Sequence, residues 1–148
     1  MVNKTRLFTI GFTQKSAQHF FSSLAGAGVK RVIDIRLNNV SQLAGFAKRD
    51  DLAYFLRTLC GIDYIHRPDF APTKELLDSL KKNQIDWDEF GRQFLRLTER
   101  RQIEKEIDLA LLDHACLLCS EPAGTCCHRR LVAEYLQTKR GALEICHL

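Results

Sequence analysis

Short β-prone runs alternate with helical stripes along this chain, and that alternation limits the fold more than any other feature of the sequence. Leu7 to Ile10 reads as a buried strand that ends at Gly11. Behind it, Ala17, Phe20, Phe21 and Leu24 recur at i, i+3, i+4 and i+7, the apolar stripe of a helix that Thr13 can cap and that Gly26 and Gly28 end. Val29 to Arg36, VKRVIDIR, is a second β-branched run. Strand, helix and strand at this spacing imply a parallel pair, because only a crossover brings the chain back to the same end of the sheet.

The alternation continues. Leu52, Phe55, Leu56 and Leu59 stripe a helix from Asp50 to a stop at Gly61. Ile62 to His66 is the third strand, closed by Pro68 and Pro72, and helices are expected over Thr73 to Lys81 and Asp86 to Arg101. Asp86 with Glu89 opens the second of these as a capping box, and Trp87, Phe90, Phe94 and Leu97 give it an inner face. Ile103 to Asp113 continues helical with Ile103, Ile107 and Ala110 inward. A strand over Ala115 to Ser120 then leads through a turn carrying Pro122 and Gly124 into a helix from Cys127 or His128 to Gly141, and Ala142 to His147 is the last strand. The expected fold is a three-layer, Rossmann-like α/β domain of about five mainly parallel strands flanked by helices, one domain over residues 1–148.

Composition narrows the class. A chain of 148 residues, 45% hydrophobic and 27% charged, can bury roughly 70% of its unfolded surface. No apolar run approaches the ~20 residues that span a bilayer, and Met1 to Phe20 lacks the apolar centre of a signal peptide. A cytoplasmic protein without membrane partners is expected, with reduced cysteines that serve as buried hydrophobes, metal ligands or reactive groups. Residues 1–50 hold eight Lys and Arg against two Asp, which tilts this third of the chain towards an anionic partner. Nucleic acid is one such partner, and solvated helix faces are the alternative.

The reactive chemistry gathers in Ala115 to Arg130, ACLLCSEPAGTCCHRR, which holds four of the six cysteines. Cys127 lies by a helix N-terminus, where unpaired backbone N–H groups stabilise a thiolate, and His128 and Arg129 would add to that if they fold over it. The same N-terminus with Arg129 suits phosphate or carboxylate. Glu121 is placed for a general base or a ribose contact, or else pairs with Arg129 to hold the turn. Cys116 and Cys119 form a C-x-x-C, but three residues apart in a strand they point to opposite faces, which argues against a shared zinc. Cys116, Cys60 and Cys146 read as core cysteines, whereas Cys119 ends a strand at the expected crevice. Asp34 and Arg36, two apart, share one face at the carboxyl end of the second strand, where open α/β sheets bind ligands, or form a structural ion pair there. The loop after Arg36, with Ser41 among its polar residues, is either a ligand loop or a solvated connection. His66 ends the third strand and His147 the last.

The segments TIGFT, VIDIR with SQLAGF, GIDYIHRP and LLCSEPAGTCCHRRLVAEYL together resemble the uncharacterised prokaryotic family catalogued as domain of unknown function 488. The specific pieces are Cys119, Glu121, Cys127, His128 and Arg129, then Asp34 and Arg36. DIRLNNVS lacks the proline that many relatives carry after the Asp-x-Arg. The resemblance implies a compact Rossmann-like domain and no established reaction.

The leading expectation is a metal-independent enzyme without a cofactor, acting on a phosphorylated or nucleotide-like small molecule. Cys127, Glu121, Asp34 and His128 would be its reactive groups, and Arg36, Arg129, Cys119, Gly11, Thr13, His66 and Ser41 its binding groups. A nucleic-acid-binding or adaptor module and a zinc-supported interaction domain are the alternatives.

Overall fold

The first strand, β1 (Thr5–Gly11), lies inside the sheet and not at its edge, and the rest of the topology follows from that position. The structure is a computed structural model and describes residues 4–38, 45–119 and 128–148. Ser41, Glu121, Pro122, Gly124, Cys126 and Cys127 lie outside these residues.

Five strands, β1, β2 (Arg31–Asp34), β3 (Asp63–His66), β4 (Ala115–Cys119) and β5 (Leu143–His147), form one sheet in the order β3-β2-β4-β1-β5, every neighbouring pair parallel. Two crossovers, β1 to β2 and β2 to β3, step one way along the sheet, and the next two step back. Parallel crossovers share one hand, so helices from the two directions must fall on opposite faces. They do. Helices α1 (Ala17–Ala27) and α2 (Arg49–Phe55) bury Phe20, Phe21, Leu24 and Leu52 against Phe8, Ile10, Val32 and Leu118. On the other face α3 (Lys74–Lys81), α4 (Trp87–Arg101) and α6 (His128–Arg140) bury Leu76, Phe90, Phe94, Val132 and Leu136 against Leu7, Ile33 and Leu117. Adjacent strand residues such as Leu117 and Leu118 thus enter different cores, as the pleat requires. The result is a three-layer α/β fold.

Local chemistry explains the element ends. The Oδ1 of Asp86 accepts from Glu89 N at 2.8 Å, the expected cap of α4. At α1 the cap is Ser16, whose Oγ accepts from His19 N, and not Thr13. Gly28 closes α1, and Gly61 closes the turn that follows α2, with φ of 77° and 65°, a region that favours glycine.

Three expectations fail, two of them where the helical period changes. Past Phe55 the helix widens into a π-turn over Leu56–Cys60, so Leu56 stays inside while Leu59 turns outward, 65% exposed. Helix α4 stops where Gln102 adopts φ 51°, so 103–113 is not one helix but a 3-10 turn (Ile103–Lys105) and a short α5 (Leu109–Leu112). Ile103 and Ile107 are buried there, yet Ala110 is exposed and Leu112 takes the inner place. Cys146 is exposed and not a core cysteine, because β5 is an edge strand whose buried side carries Leu143 and Ile145.

Phe94 has no exposed surface in the core beneath α4 and α6. Phe94→Ala is expected to cost about 3–5 kcal/mol, against about 1 kcal/mol for the cap variant Asp86→Ala. Urea midpoints at unchanged slope measure both, and equal losses would contradict this division between core and cap.

Candidate functional site

In a parallel sheet all carboxyl ends open on one edge, and a crevice forms where adjacent strands send their chains to opposite faces. Strand β4 lies between β2 and β1. Its chain goes on to α6 on one face, while β1 and β2 lead to α1 and α2 on the other. The register sets Gly11 level with Cys119, and Asp34 level with both Leu118 and His66. Gly11, Asp34, His66 and Cys119 therefore end in one row.

On the α1–α2 side Asp34 is fully buried and accepts four hydrogen bonds from the described residues. Its Oδ1 takes Arg36 N at 3.1 Å and Arg36 Nε at 2.8 Å; its Oδ2 takes Arg36 Nη2 at 2.7 Å and the Tyr64 hydroxyl at 2.5 Å. This is the forked, two-point pairing that a guanidinium makes with a carboxylate. Arg36 is only 2% exposed, its guanidinium lies 5.3 Å from the centre of the Phe12 ring, and its Nη1 finds no hydrogen-bond partner among the described residues. His66 Nε2 donates to the Arg36 carbonyl at 2.9 Å.

On the α4–α6 side Arg129 is 1% exposed. Its Nε donates to Thr9 Oγ1 at 3.3 Å and its Nη1 to Cys119 Sγ at 3.2 Å. The Thr9 hydroxyl is also hydrogen-bonded to His147 Nδ1 at 2.5 Å. Partial burial, then Arg129 and Arg130, hold His147 below the ordinary imidazole range. Burial and then Arg129 also lower the half-buried Lys15. Arg129, Lys15 and His147 therefore share this end of the sheet.

His128, the first residue of α6, donates from Nε2 to Ile35 O at 2.8 Å and meets the Phe94 ring edge-on at 5.8 Å. Burial pushes it down to about 4, with Arg129 acting in the same direction. It is a neutral tie between α6 and β2, not a cation beside a thiol.

Of the residues expected from sequence, Asp34, Arg36, His66, Gly11, Cys119, His128, Arg129 and His147 come together on this edge, in two groups on opposite sides of the sheet, and Thr13 lies just beyond β1. Cys127, Glu121 and Ser41 fall outside the described residues. Sequence reasoning missed Thr9, Lys15 and Tyr64. Tyr64 precedes His66 by two in a strand, so its side of the sheet was readable, but its bond to Asp34 was not. Cys116 and Cys119 enter opposite cores. Burial raises the Cys116 thiol far above its ordinary range. Cys119 is disulfide-bonded, against the expectation of reduced cysteines, while Cys60, Cys116 and Cys146 are free thiols. Among the described residues no three His, Cys, Asp or Glu are placed to hold a metal, and no helix is long and apolar enough to cross a membrane.

These features define a parallel α/β domain with buried guanidinium groups at its carboxyl edge. The chain belongs to the family described as Domain of unknown function DUF488, whose model matches residues 16–136. No curated protein and no solved structure shows significant similarity to it.

The neutral His128 gives a linkage with a definite sign. Its folded pKa of about 4 lies below the ordinary 6.5, so its contribution to stability is complete above pH ~6.5 and is lost as pH falls towards 4. His128→Gln should therefore flatten the loss of stability between pH 6 and 4.5, by up to about 1.4 kcal/mol per pH unit. Urea midpoints across that range are the measurement, and parallel curves for the two proteins would reject a neutral His128.

Proposed function

We propose that the carboxyl edge binds a phosphorylated or nucleotide-like small molecule, and that the protein is an enzyme acting on it without a metal. The observation that carries the reading is Arg36 Nη1, a buried guanidinium donor without an acceptor among the described residues. A buried unpaired donor is costly, and a ligand oxygen is the natural partner for one at a strand's carboxyl end. Arg129 and Lys15 add positive charge across the edge. Gly11, Thr13, Ser41, His66 and Cys119 border the ligand.

The roles then divide by chemistry. Both oxygens of Asp34 already accept two bonds, so Asp34 orients Arg36 and Tyr64, and proton handling falls to Glu121. His128 positions the start of α6. Cys127, one residue before that helix, is the nucleophile of the reading. Nucleic-acid binding draws less support from the basic N-terminal third. There Arg6 and Arg49 meet carboxylates, Arg31 donates to the Leu111 and Asp113 carbonyls, and Arg36 is buried.

Thermal shift against inorganic phosphate, pyrophosphate, nucleoside monophosphates and short oligonucleotides tests the reading. A saturating small anion at a hundred times its Kd should stabilise by about 2.7 kcal/mol. Lys15→Gln, on a half-buried loop, and Arg36→Lys, which keeps the charge but not the fork, should each weaken that ligand about tenfold. If only oligonucleotides shift the protein and salt removes the effect, the binding-module alternative replaces this one. Once a reaction is found, Cys127→Ser should lower turnover at least a hundredfold on the order expected for a lost nucleophile. Full turnover by that variant would remove Cys127 from the chemistry.

A further inference from the structure

Cys119, the last residue of β4, is disulfide-bonded and has no exposed surface. Cys60, Cys116 and Cys146 are free thiols, which leaves Cys126 and Cys127 as the cysteines of this chain that can supply the second sulfur. Arg129 Nη1 donates to Cys119 Sγ at 3.2 Å, and Arg129 is itself only 1% exposed. A disulfide sulfur is a weak, neutral acceptor, from which a guanidinium gains little. A thiolate at the same distance is a charged one. The guanidinium is therefore better matched to Cys119 after the bond is broken than before. Cys116 shows what burial does without such a contact. In the opposite core, where its thiol donates to the Leu117 carbonyl at 3.8 Å, burial pushes it far above the ordinary range.

We propose that the Cys119 disulfide is an exchange-active redox site, reduced by a dithiol, in which Cys119 is the leaving sulfur and Arg129 the group that receives it. Burial decides the order of events. A thiolate of the reductant has no path to Cys119, so it attacks the second sulfur and bonds to it, and the electron pair of the broken S–S bond leaves on Cys119. The reductant's other thiol gives its proton to water, displaces the second sulfur as a thiolate and closes a cyclic disulfide. Two electrons have then passed from the dithiol to the protein, which holds two thiol groups in place of one disulfide. A small-molecule disulfide runs the same steps backwards. Exchange is faster the more stable the departing thiolate, and Arg129 supplies that stability where water does not reach. A disulfide kept only to tie β4 to the chain beyond it needs no cation at its buried sulfur. The inference does not depend on the anion reading of this edge; where Cys127 supplies the second sulfur, the same bond also withholds the nucleophile of that reading.

Reduction of the folded full chain by dithiothreitol at neutral pH tests the site, read by acid quenching, alkylation in denaturant and mass spectrometry of the Cys119 peptide. The expected result is complete reduction of the bond without denaturant and its return with oxidised dithiothreitol. Arg129→Gln should slow the reduction about tenfold, whereas Arg129→Lys, which keeps a cation, should keep most of the rate. A second readout does not require Arg129→Gln to fold: the reduced wild type should show at neutral pH an ultraviolet thiolate absorbance that Cys119→Ser lacks. A Cys119 that alkylates as a free thiol in the air-oxidised protein overturns the proposal. So does a bond that dithiothreitol reaches only in denaturant, an equal rate in Arg129→Gln, or a thiolate absorbance that Cys119→Ser leaves unchanged.

Discussion

The fold rests on one directional constraint: five strands that all run the same way. A parallel pair cannot be closed by a hairpin, so every connection must cross the sheet, and the shared hand of crossovers decides which face each helix covers. Because β4 lies between β2 and β1, the two strands that lead to the opposite face, the chain diverges on both sides of it. The carboxyl edge around β4 is thereby left open for side chains to converge, while both faces are sealed by Phe20, Leu24, Phe90, Phe94 and their neighbours. The geometry of the candidate site is thus a consequence of strand order before any site residue is considered.

That order was only half legible. Period told strands from helices almost everywhere, since Leu7 to Ile10, the Phe20–Leu24 stripe and the capped helix at Asp86 each state their structure locally. What period could not show was where it would change. Leu59 follows Leu56 at a spacing that an α-helix would bury and a π-turn exposes, and Gln102 leaves α4 in a left-handed conformation that no neighbouring glycine announces. Cys146 alternates correctly within its strand, but edge position comes from pairing β5 beside β1, a contact between residues more than a hundred positions apart.

The site divides along the same line. Asp34 and Arg36 meet because a strand returns a side chain to the same face every second residue, a rule visible in DIR itself. Arg129 instead takes Thr9 and Cys119, and Thr9 takes His147, across sequence separations of 120 and 138 residues in the two bonds to Thr9. No local pattern encodes such bonds. Thr9 in particular looks like an ordinary strand threonine, and only the packing of α6 over β1 makes its hydroxyl a relay between a guanidinium and an imidazole.

Energetics sharpen the contrast between the two buried arginines. Removing a carboxylate and a guanidinium from water costs several kcal/mol per ion, and the attraction between them offsets this only when the geometry is good and the remaining hydrogen-bonding positions are filled. Asp34 meets that condition, with two bonds at each oxygen. Arg36 meets it incompletely, since Nε and Nη2 are held and Nη1 has no partner among the described residues. An apolar pair of similar volume would hold β2 against β3 and the Phe12 ring without that cost. The excess is therefore poorly explained by stability, and well explained if the carboxylate exists to hold the guanidinium rigid while one nitrogen is kept for another oxygen. On the proposed reading Asp34 would orient and Arg36 would bind, and their burial would strengthen the interaction with a desolvated anion.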